Sequence, residues 1–463
     1  MVNCLYRRVG VRLVAARMRV SLAVSLSLSA PALSTAQEPP RREPVEIAGH
    51  WQGVLIREAA RLPVSVDISV GPQGVNGTFT SLTQRTMQYP LDTVVITGTS
   101  VHFELGGGSL VFDGRIVGDS ITGDLRDEGA MGTFALQRTL PVPVPYDRHD
   151  VTFRNGDITL SGSLFTPRTP RRHAAVIFLH GSGPETRWGT SRYYADRLAR
   201  SGVAALIYDK RGAGASTGDW RRATFEDLAD DAIAAVRLLE LRTDIDPKRV
   251  GLYGHSQGGL IAPLAAARAS GAVAFLVAAA TYPDSVWQQD VYRVERSIRR
   301  QKFSDNEVVR AMEVYRVFLD VARGVKPWEE LETASLPVRD ERWYKWLGIP
   351  PRENWLWAYY RGTGNFTALA SWQTVRVPVL LVYGERDQLV PVSESIQKIE
   401  GAIKRAGNTA HAAILLPRAA HNLTVTTEPG EPFDWWRVAP GFPELLTAWV
   451  TQASQGPRSA RAR

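Results

Sequence analysis

Val250-Gly251-Leu252-Tyr253-Gly254-His255-Ser256-Gln257-Gly258-Gly259 reads as a short apolar strand running into Gly-x-Ser-x-Gly, with an alanine-rich helix over 260–269 behind it. A serine at the tip of a tight strand-to-helix turn sits in strained backbone, and glycines two positions either side keep side chains out of the neighbouring strand and helix. Such a turn lifts the Ser256 hydroxyl clear of a sheet and aims the next helix's N-terminus at it. The Gln257 amide then faces any oxyanion formed by attack, helped by the helix dipole.

Working outward, the rhythm around this turn is strand–helix alternation. Apolar strands are expected at 174–179, 203–208, 250–253, 273–280, 379–382 and 412–416, and helices at 193–200, 225–241, 393–405 and 443–450. That pattern predicts an α/β fold with a parallel sheet. Residues 283–372 interrupt it with helical, charged and aromatic-rich sequence, expected to form a cap. A hairpin over 151–155 and 158–165 precedes the first parallel strand. Before it, residues 47–138 alternate apolar and polar positions, as at Val64, Val66, Ile68 and Val70, with frequent glycine turns. About eight short antiparallel strands, closed as a small barrel or folded sandwich, are expected there. His50 and His102 read as isolated strand positions. Alternating Pro and Val over 141–145 should form an extended linker.

A serine hydroxyl is a weak nucleophile and needs a base, which in turn needs a carboxylate to orient it. In this architecture the order along the chain is Ser, acid, His. Asp387 follows the strand at 379–382 and His421 follows the one at 412–416, both at carboxyl ends, where open sheets gather their reactive groups. Ser256 is therefore read as nucleophile, His421 as general base and then acid, and Asp387 as orienter. Glu385 is an alternative acid. His255 should point away in the turn, and His411 opens its strand at the wrong end. His421 taken alone would be an ordinary loop histidine. The second oxyanion donor is expected from His180-Gly181-Ser182-Gly183-Pro184, preferentially the Ser182 amide, with Gly181 or Gly183 open; His180 should hydrogen-bond within the loop. Asp209-Lys210-Arg211-Gly212-Ala213-Gly214-Ala215-Ser216 has a phosphate-loop look but lacks Walker or dinucleotide spacing. Asp209 and Arg211 are expected to pair and brace the loop. Most insertion aromatics (Trp343, Trp346, Trp355, Trp357, Tyr359, Tyr360 among them) should pack the cap, a few lining a pocket, with Trp435 and Trp436 as further rim candidates.

The 463 residues suit two or three domains, and 44% hydrophobic with 22% charged residues is a globular balance. The formal charge of +8 comes from arginines at the two ends: Arg7, Arg8, Arg12, Arg17, Arg19, Arg458, Arg461 and Arg463. The middle is formally neutral, so no nucleic-acid partner is expected. Arginines, an apolar run over 20–33 and Ser34-Thr35-Ala36 predict a signal peptide over 1–36, from Met1 or from Met18, and a secreted or periplasmic chain. No segment is long enough to span a bilayer. The single cysteine, Cys4, falls in that leader, which leaves the mature chain without a disulfide, thiol nucleophile or thiolate metal site. No metal or cofactor is expected. The predicted layout is a leader over 1–36, an all-β domain over 46–140, an α/β domain over 146–452 and a disordered tail over 453–463.

These residues resemble the α/β-hydrolase superfamily, and more closely exported bacterial serine esterases with a small N-terminal β domain, near the serine aminopeptidase and dienelactone-hydrolase-like groups. The matching pieces are residues 180–184, 209–216, 254–259, 384–387 and His421. Gly49-His50-Trp51-Gln52-Gly53 and Phe134-Ala135-Leu136-Gln137-Arg138 resemble that group's β domain. The resemblance implies a carboxylesterase acting on short acyl esters of small molecules. Dienelactone hydrolases proper use a cysteine where this chain has Ser256, which argues against that reaction. A peptidase of the prolyl-oligopeptidase or aminopeptidase type, with Glu329, Glu330 or Glu332 binding a peptide end, is the alternative enzyme. A binding protein on the same fold is the non-catalytic alternative.

Overall fold

The computed structural model describes residues 47–58, 60–72, 74–269, 271–428 and 435–455. The leader expected over 1–36, with Cys4, and tail residues 456–463 lie outside the described residues. The closing helix runs to Ala453, so the start of the expected tail is helical.

The N-terminal part holds nine strands, against about eight expected: β1 Gly49–Arg57, β2 Ala60–Gly71, β3 Gly74–Ser81, β4 Thr86–Pro90, β5 Thr93–Thr97, β6 Ser100–Leu105, β7 Leu110–Val117, β8 Ser120–Asp127 and β9 Ala130–Thr139. Their order is β4-β3-β2-β1-β9-β8-β7-β6-β5. The edge strands β4 and β5 are chain neighbours, joined at Leu91 and Asp92, whose amides donate to Gly77 and Glu104 on β3 and β6. The sheet therefore curls back on itself in a barrel-like form, which hides its edges. Period-two alternation turns Leu62, Val64, Val66 and Ile68 inward around Trp51, Phe79, Phe103, Phe112 and Phe134. Val70, expected to continue that set, is 62% exposed because it lies at the β2–β3 turn. His50 and His102 are not isolated: they pair with Asp67 at 2.6 Å and Asp113 at 2.7 Å.

The second sheet follows from β10 Tyr146–Asn155 and β11 Ile158–Pro167, an antiparallel hairpin. Then come β12 His173–Leu179, α1 Thr190–Arg200, β13 Ala204–Tyr208, α2 Phe225–Glu240, β14 Ile245–His255, α3 Gln257–Arg268 and β15 Phe275–Ala279. The insertion supplies α4 Val286–Arg300, α5 Asp305–Ala322, α6 Trp328–Ser335, α7 Leu356–Thr363 and α8 Leu369–Trp372. The sheet resumes with β16 Val379–Gly384, α9 Val392–Arg405 and β17 His411–Leu416, and the chain ends through the small pair β18 Thr424–Val425 and β19 Arg437–Val438 and helix α10 Phe442–Ala453.

The eight strands are ordered β10-β11-β13-β12-β14-β15-β16-β17, parallel from β13 to β17. This is the α/β-hydrolase sheet. Its central strands are covered on both faces, so they read as continuous apolar runs rather than alternating ones. On β12, Ala175, Ile177 and Leu179 join the layer of α2, α3 and α9, while Ala174, Val176 and Phe178 join that of α1 and α10. Each large aliphatic buried this way contributes roughly 1.5–3 kcal/mol. The insertion has its own core of Ile298, Met312, Tyr315, Phe318, Trp343, Trp357 and Tyr360. The curled sheet docks on α1 through Arg192, which donates to Gln88 at 2.6 Å. It also receives Trp435, whose ring is buried in its core and whose indole N–H donates to Asp127 at 2.7 Å.

Candidate functional site

Ser256 sits at φ +52°, a left-handed conformation that costs a non-glycine residue on the order of 1–3 kcal/mol. The surrounding glycines show why the turn is that tight. A Cβ on Gly254 would stand 2.1 Å from the Gly258 carbonyl oxygen, and one on Gly258 2.5 Å from that of Leu179. The start of α3 is thus pressed against the end of β12. Helix α2 closes its N-terminus with a Thr224–Asp227 capping box, but the Ser256 side chain makes no such cap on α3. The first amides of α3 stay available beside the Ser256 hydroxyl, an arrangement suited to negative charge.

His421 lies in the loop after β17 and Asp387 in the loop after β16. Ser256 Oγ is 3.0 Å from His421 Nε2, and His421 Nδ1 is 2.8 Å from Asp387 Oδ2. With Nδ1–H donating to the carboxylate, Nε2 offers its lone pair to the serine hydroxyl. Asp387 is 3% exposed, and its other oxygen accepts the amides of Leu389 and Val390. Those bonds fix the carboxylate's direction. Glu385, the alternative acid, instead accepts the Arg418 amide at 2.7 Å, while Asp387 is the carboxylate bonded to His421. His411 opens β17 near Glu400, away from this edge.

His255 has a structural partner that the sequence did not mark. Its Nε2 donates to the His421 carbonyl at 3.0 Å, and the two rings lie 5.2 Å apart. It is a buttress for the loop of His421. Burial first, and then the neighbouring His421, lower its pKa from 6.5 to about 4. His255 is therefore neutral at ordinary pH and does not compete as a base.

In the loop after β12, the Gly181 amide is already engaged by the Glu185 carboxylate at 2.9 Å. The Ser182 amide has no acceptor among the described residues. In place of the expected bond within its own loop, His180 bonds the Tyr208 carbonyl at the end of β13, and burial holds its pKa below the usual histidine value.

Asp209 and Arg211 do brace their loop, but not with each other. Asp209 accepts the Arg187 amide at 2.9 Å and meets its guanidinium at 3.2 Å. Arg211 pairs with Asp231 at 2.7 Å. Bridging by separate partners ties the loop to both the β12 loop and α2.

Of the insertion aromatics, Trp343 and Trp372 are fully buried, and Phe366 stacks on Phe225 with ring centroids 4.4 Å apart. Tyr359 is the one among them that reaches the elbow: its hydroxyl accepts Gln257 Nε2 at 3.0 Å. Trp435 is no rim residue, since it belongs to the curled sheet's core. Glu329, Glu330 and Glu332 are exposed, and Glu330 pairs with Lys326 at 3.0 Å.

The sequence reading missed the buried Lys210, which donates to the Gly181 carbonyl at 2.8 Å and to Gln257 Oε1 at 2.6 Å. Its only sequence signal was a lysine between Asp209 and Arg211 at a strand end. Among the described residues, no group of His, Cys, Asp or Glu side chains is placed to hold a metal ion, and no helix is long and apolar enough to cross a membrane.

The profile of the family described as Serine aminopeptidase, S33 matches residues 170–429, more than half of the chain. The chain belongs to this family of hydrolases. The matched span of the S33-family chain runs from β12 past His421 and includes the insertion; the curled sheet lies before it. Esterase EstD of Thermotoga maritima is 27% identical over 312 residues, covering 64% of this chain and 67% of EstD. Quorum-quenching protein AidA of Acinetobacter baumannii is 32% identical over 117 residues, covering 25% of this chain and 38% of AidA. Among solved structures, the Pyrococcus furiosus esterase Pf2001 matches 69% of this S33-family chain and 96% of its own at 20% identity, with a TM-score of 0.44.

Proposed function

We propose that the chain is a serine carboxylesterase working through an acyl-enzyme. Ser256 attacks the ester carbonyl while His421 takes its proton. Asp387 holds the imidazole and balances the charge it gains. The amides of Gln257 and Ser182 receive the oxyanion. His421 then protonates the leaving alcohol and later activates the water that releases the acid. The single observation carrying this reading is the run of two hydrogen bonds from Asp387 through His421 to Ser256, on a serine held at positive φ.

The likeness to EstD favours ester substrates. The family's description favours amide cleavage as the second reading. A peptidase of that kind needs a carboxylate for a peptide's amino end, and the exposed insertion glutamates do not single one out. In the favoured reading the substrate is a small-molecule ester, and no metal or cofactor takes part. The chain is exported, on the strength of the pattern over 1–36 and the lack of cysteine beyond it. N-terminal sequencing of the protein from a periplasmic fraction tests export: a start near Gln37 supports it, and an intact Met1 or Met18 start contradicts it.

The test of the activity is turnover of a p-nitrophenyl acyl-ester series by wild type and Ser256→Ala, beside matched aminoacyl anilides. Ester hydrolysis that disappears in Ser256→Ala supports the esterase reading. Faster anilide than ester cleavage moves the function to peptidase. No turnover, together with no labelling by a fluorophosphonate, leaves a binding protein on a hydrolase fold.

A further inference from the structure

The Lys210 ammonium is a buried charge that the mechanism above does not use. It is 3% exposed, and its hydrogen-bond partners are the neutral oxygens of Gly181 and Gln257. An ammonium taken out of water without a carboxylate in direct contact is costly. A role limited to filling space would be met by an uncharged side chain.

The two acceptors are informative. The Gly181 carbonyl and the Ser182 N–H belong to one peptide unit. In a trans peptide they point in opposite directions. Lys210 lies beneath that unit, in the interior, whereas Ser182 is exposed. The N–H is therefore directed away from Lys210, to the exposed side of the loop. Gly181 itself stands beside the elbow, since a Cβ there would lie 3.6 Å from His255 Nδ1. The other acceptor is the side chain of Gln257, the residue whose backbone amide is the other proposed oxyanion donor. Lys210 also holds the loop through its own amide, which donates to the Glu185 carbonyl at 3.1 Å. Glu185 in turn occupies the Gly181 amide. Tyr359 completes the line from the insertion by accepting Gln257 Nε2.

We infer that Lys210 is a positioning residue for the oxyanion site, holding and polarising the Gly181–Ser182 peptide and fixing Gln257 so that both amides face the developing oxyanion. The inference rests on the serine-esterase reading and names what prepares its electrostatic site. A cation on a carbonyl oxygen draws charge through the peptide and makes its N–H a stronger donor. Preorganised donors of this kind cost no reorganisation when the charge appears.

Burial lowers the Lys210 pKa from 10.5 to about 8, with Glu185 and Asp231 partly opposing the shift. The other charged or titratable groups around it are His180 at the end of β12, and Asp209 and Arg211 of its own loop, which are bonded to Arg187 and Asp231. Loss of the Lys210 proton above about pH 8 removes the polarising charge, so activity should fall on the alkaline side.

The experiment is steady-state hydrolysis of p-nitrophenyl butyrate from about pH 6 to about pH 10, with inhibition by a trifluoromethyl ketone and by the matching methyl ketone. Wild type, Lys210→Met and Lys210→Arg are compared. At pH 7, Lys210→Met should lower kcat/KM about 10- to 100-fold, mostly in kcat, and weaken the trifluoromethyl ketone by a similar factor. The methyl ketone, which forms no stable oxyanion, should bind as before. Lys210→Arg should retain activity within about tenfold and lose the alkaline decline. Unchanged kcat/KM and trifluoromethyl ketone affinity in Lys210→Met overturns the inference. So does an alkaline decline that persists in Lys210→Arg. If Lys210→Met does not fold, a wild-type profile flat beyond about pH 9 is itself sufficient to overturn it. A wild type without esterase activity defeats the underlying reading instead, and is a separate outcome.

Discussion

The Ser256 side and the His421 side of this site, the proposed nucleophile and base, are built in opposite ways. Ser256 is held by a strained turn within one strand–helix unit, against close glycine contacts at Gly254 and Gly258. His421 is held from far away in the chain. Its loop rests on Gly384, where a Cβ would stand 2.3 Å from the Ala419 carbonyl oxygen. Its carbonyl is gripped by His255, and Leu423 accepts the Ala439 amide. Further along, Trp435 anchors the same connection in the core of the curled sheet. The serine's geometry is thus a local property of the elbow, whereas the histidine's depends on docking between layers. That contact predicts a role for the curled sheet, namely steadying the chain on the far side of His421.

The comparison can be broken most forcefully at the nucleophile. Ser256→Ala should lower kcat for p-nitrophenyl butyrate by on the order of 10⁴–10⁶, and Asp387→Asn by about 10⁴, with folding retained by circular dichroism. Activity within tenfold of wild type in either variant would end the triad account. Gly258→Ala should come next, because the new methyl meets the Leu179 carbonyl oxygen at 2.5 Å. A loss of about 1–3 kcal/mol in urea unfolding is expected, with kcat falling more than KM rises. On the base side, Trp435→Ala should cost about 3–5 kcal/mol through the cavity left in the curled sheet, and lower kcat several-fold with little change in KM. An unchanged kcat despite that destabilisation would separate the two regions and remove the role assigned to the curled sheet.

The smallest effect sharpens the buttress. His255 has a folded pKa of about 4 against an ordinary 6.5. Between those values the unfolded chain binds more protons, so stability should decline as pH falls from about 6.5 to about 4. In His255→Gln, the drop in unfolding free energy between about pH 7 and about pH 5 should shrink, as read by urea midpoints. An equal drop in both proteins would rule out the buried neutral histidine.

The same contrast explains what could be read from the sequence. Strand and helix order was legible because each central strand is a short, fully apolar run with a turn signal at its end. Ser256, Asp387 and His421 each follow such a run, so their presence on one edge followed from local pattern. Lys210, Gln257 and Tyr359 meet across separations of 47 and 102 positions, and no local period marks a pairing of that kind. The partners of Asp209 and Arg211 were misread for the same reason: proximity in sequence suggested a pair that the loop's geometry divides. Trp435 was read as a rim candidate from its place after the His421 loop, and the curled sheet that receives it lies far back in the chain. His50 and His102 read as lone histidines because Asp67 and Asp113 reach them from adjacent strands, and cross-strand register is set by turns rather than by the residues themselves.

The most direct measurement is the intact mass of the protein, acid-quenched during turnover of p-nitrophenyl butyrate, with the adduct located by peptide mapping. A butyryl group on Ser256 that decays as substrate is exhausted, and is absent in Ser256→Ala, is the predicted result. Sustained ester turnover with no acyl adduct, or with the adduct on another residue, would contradict the account.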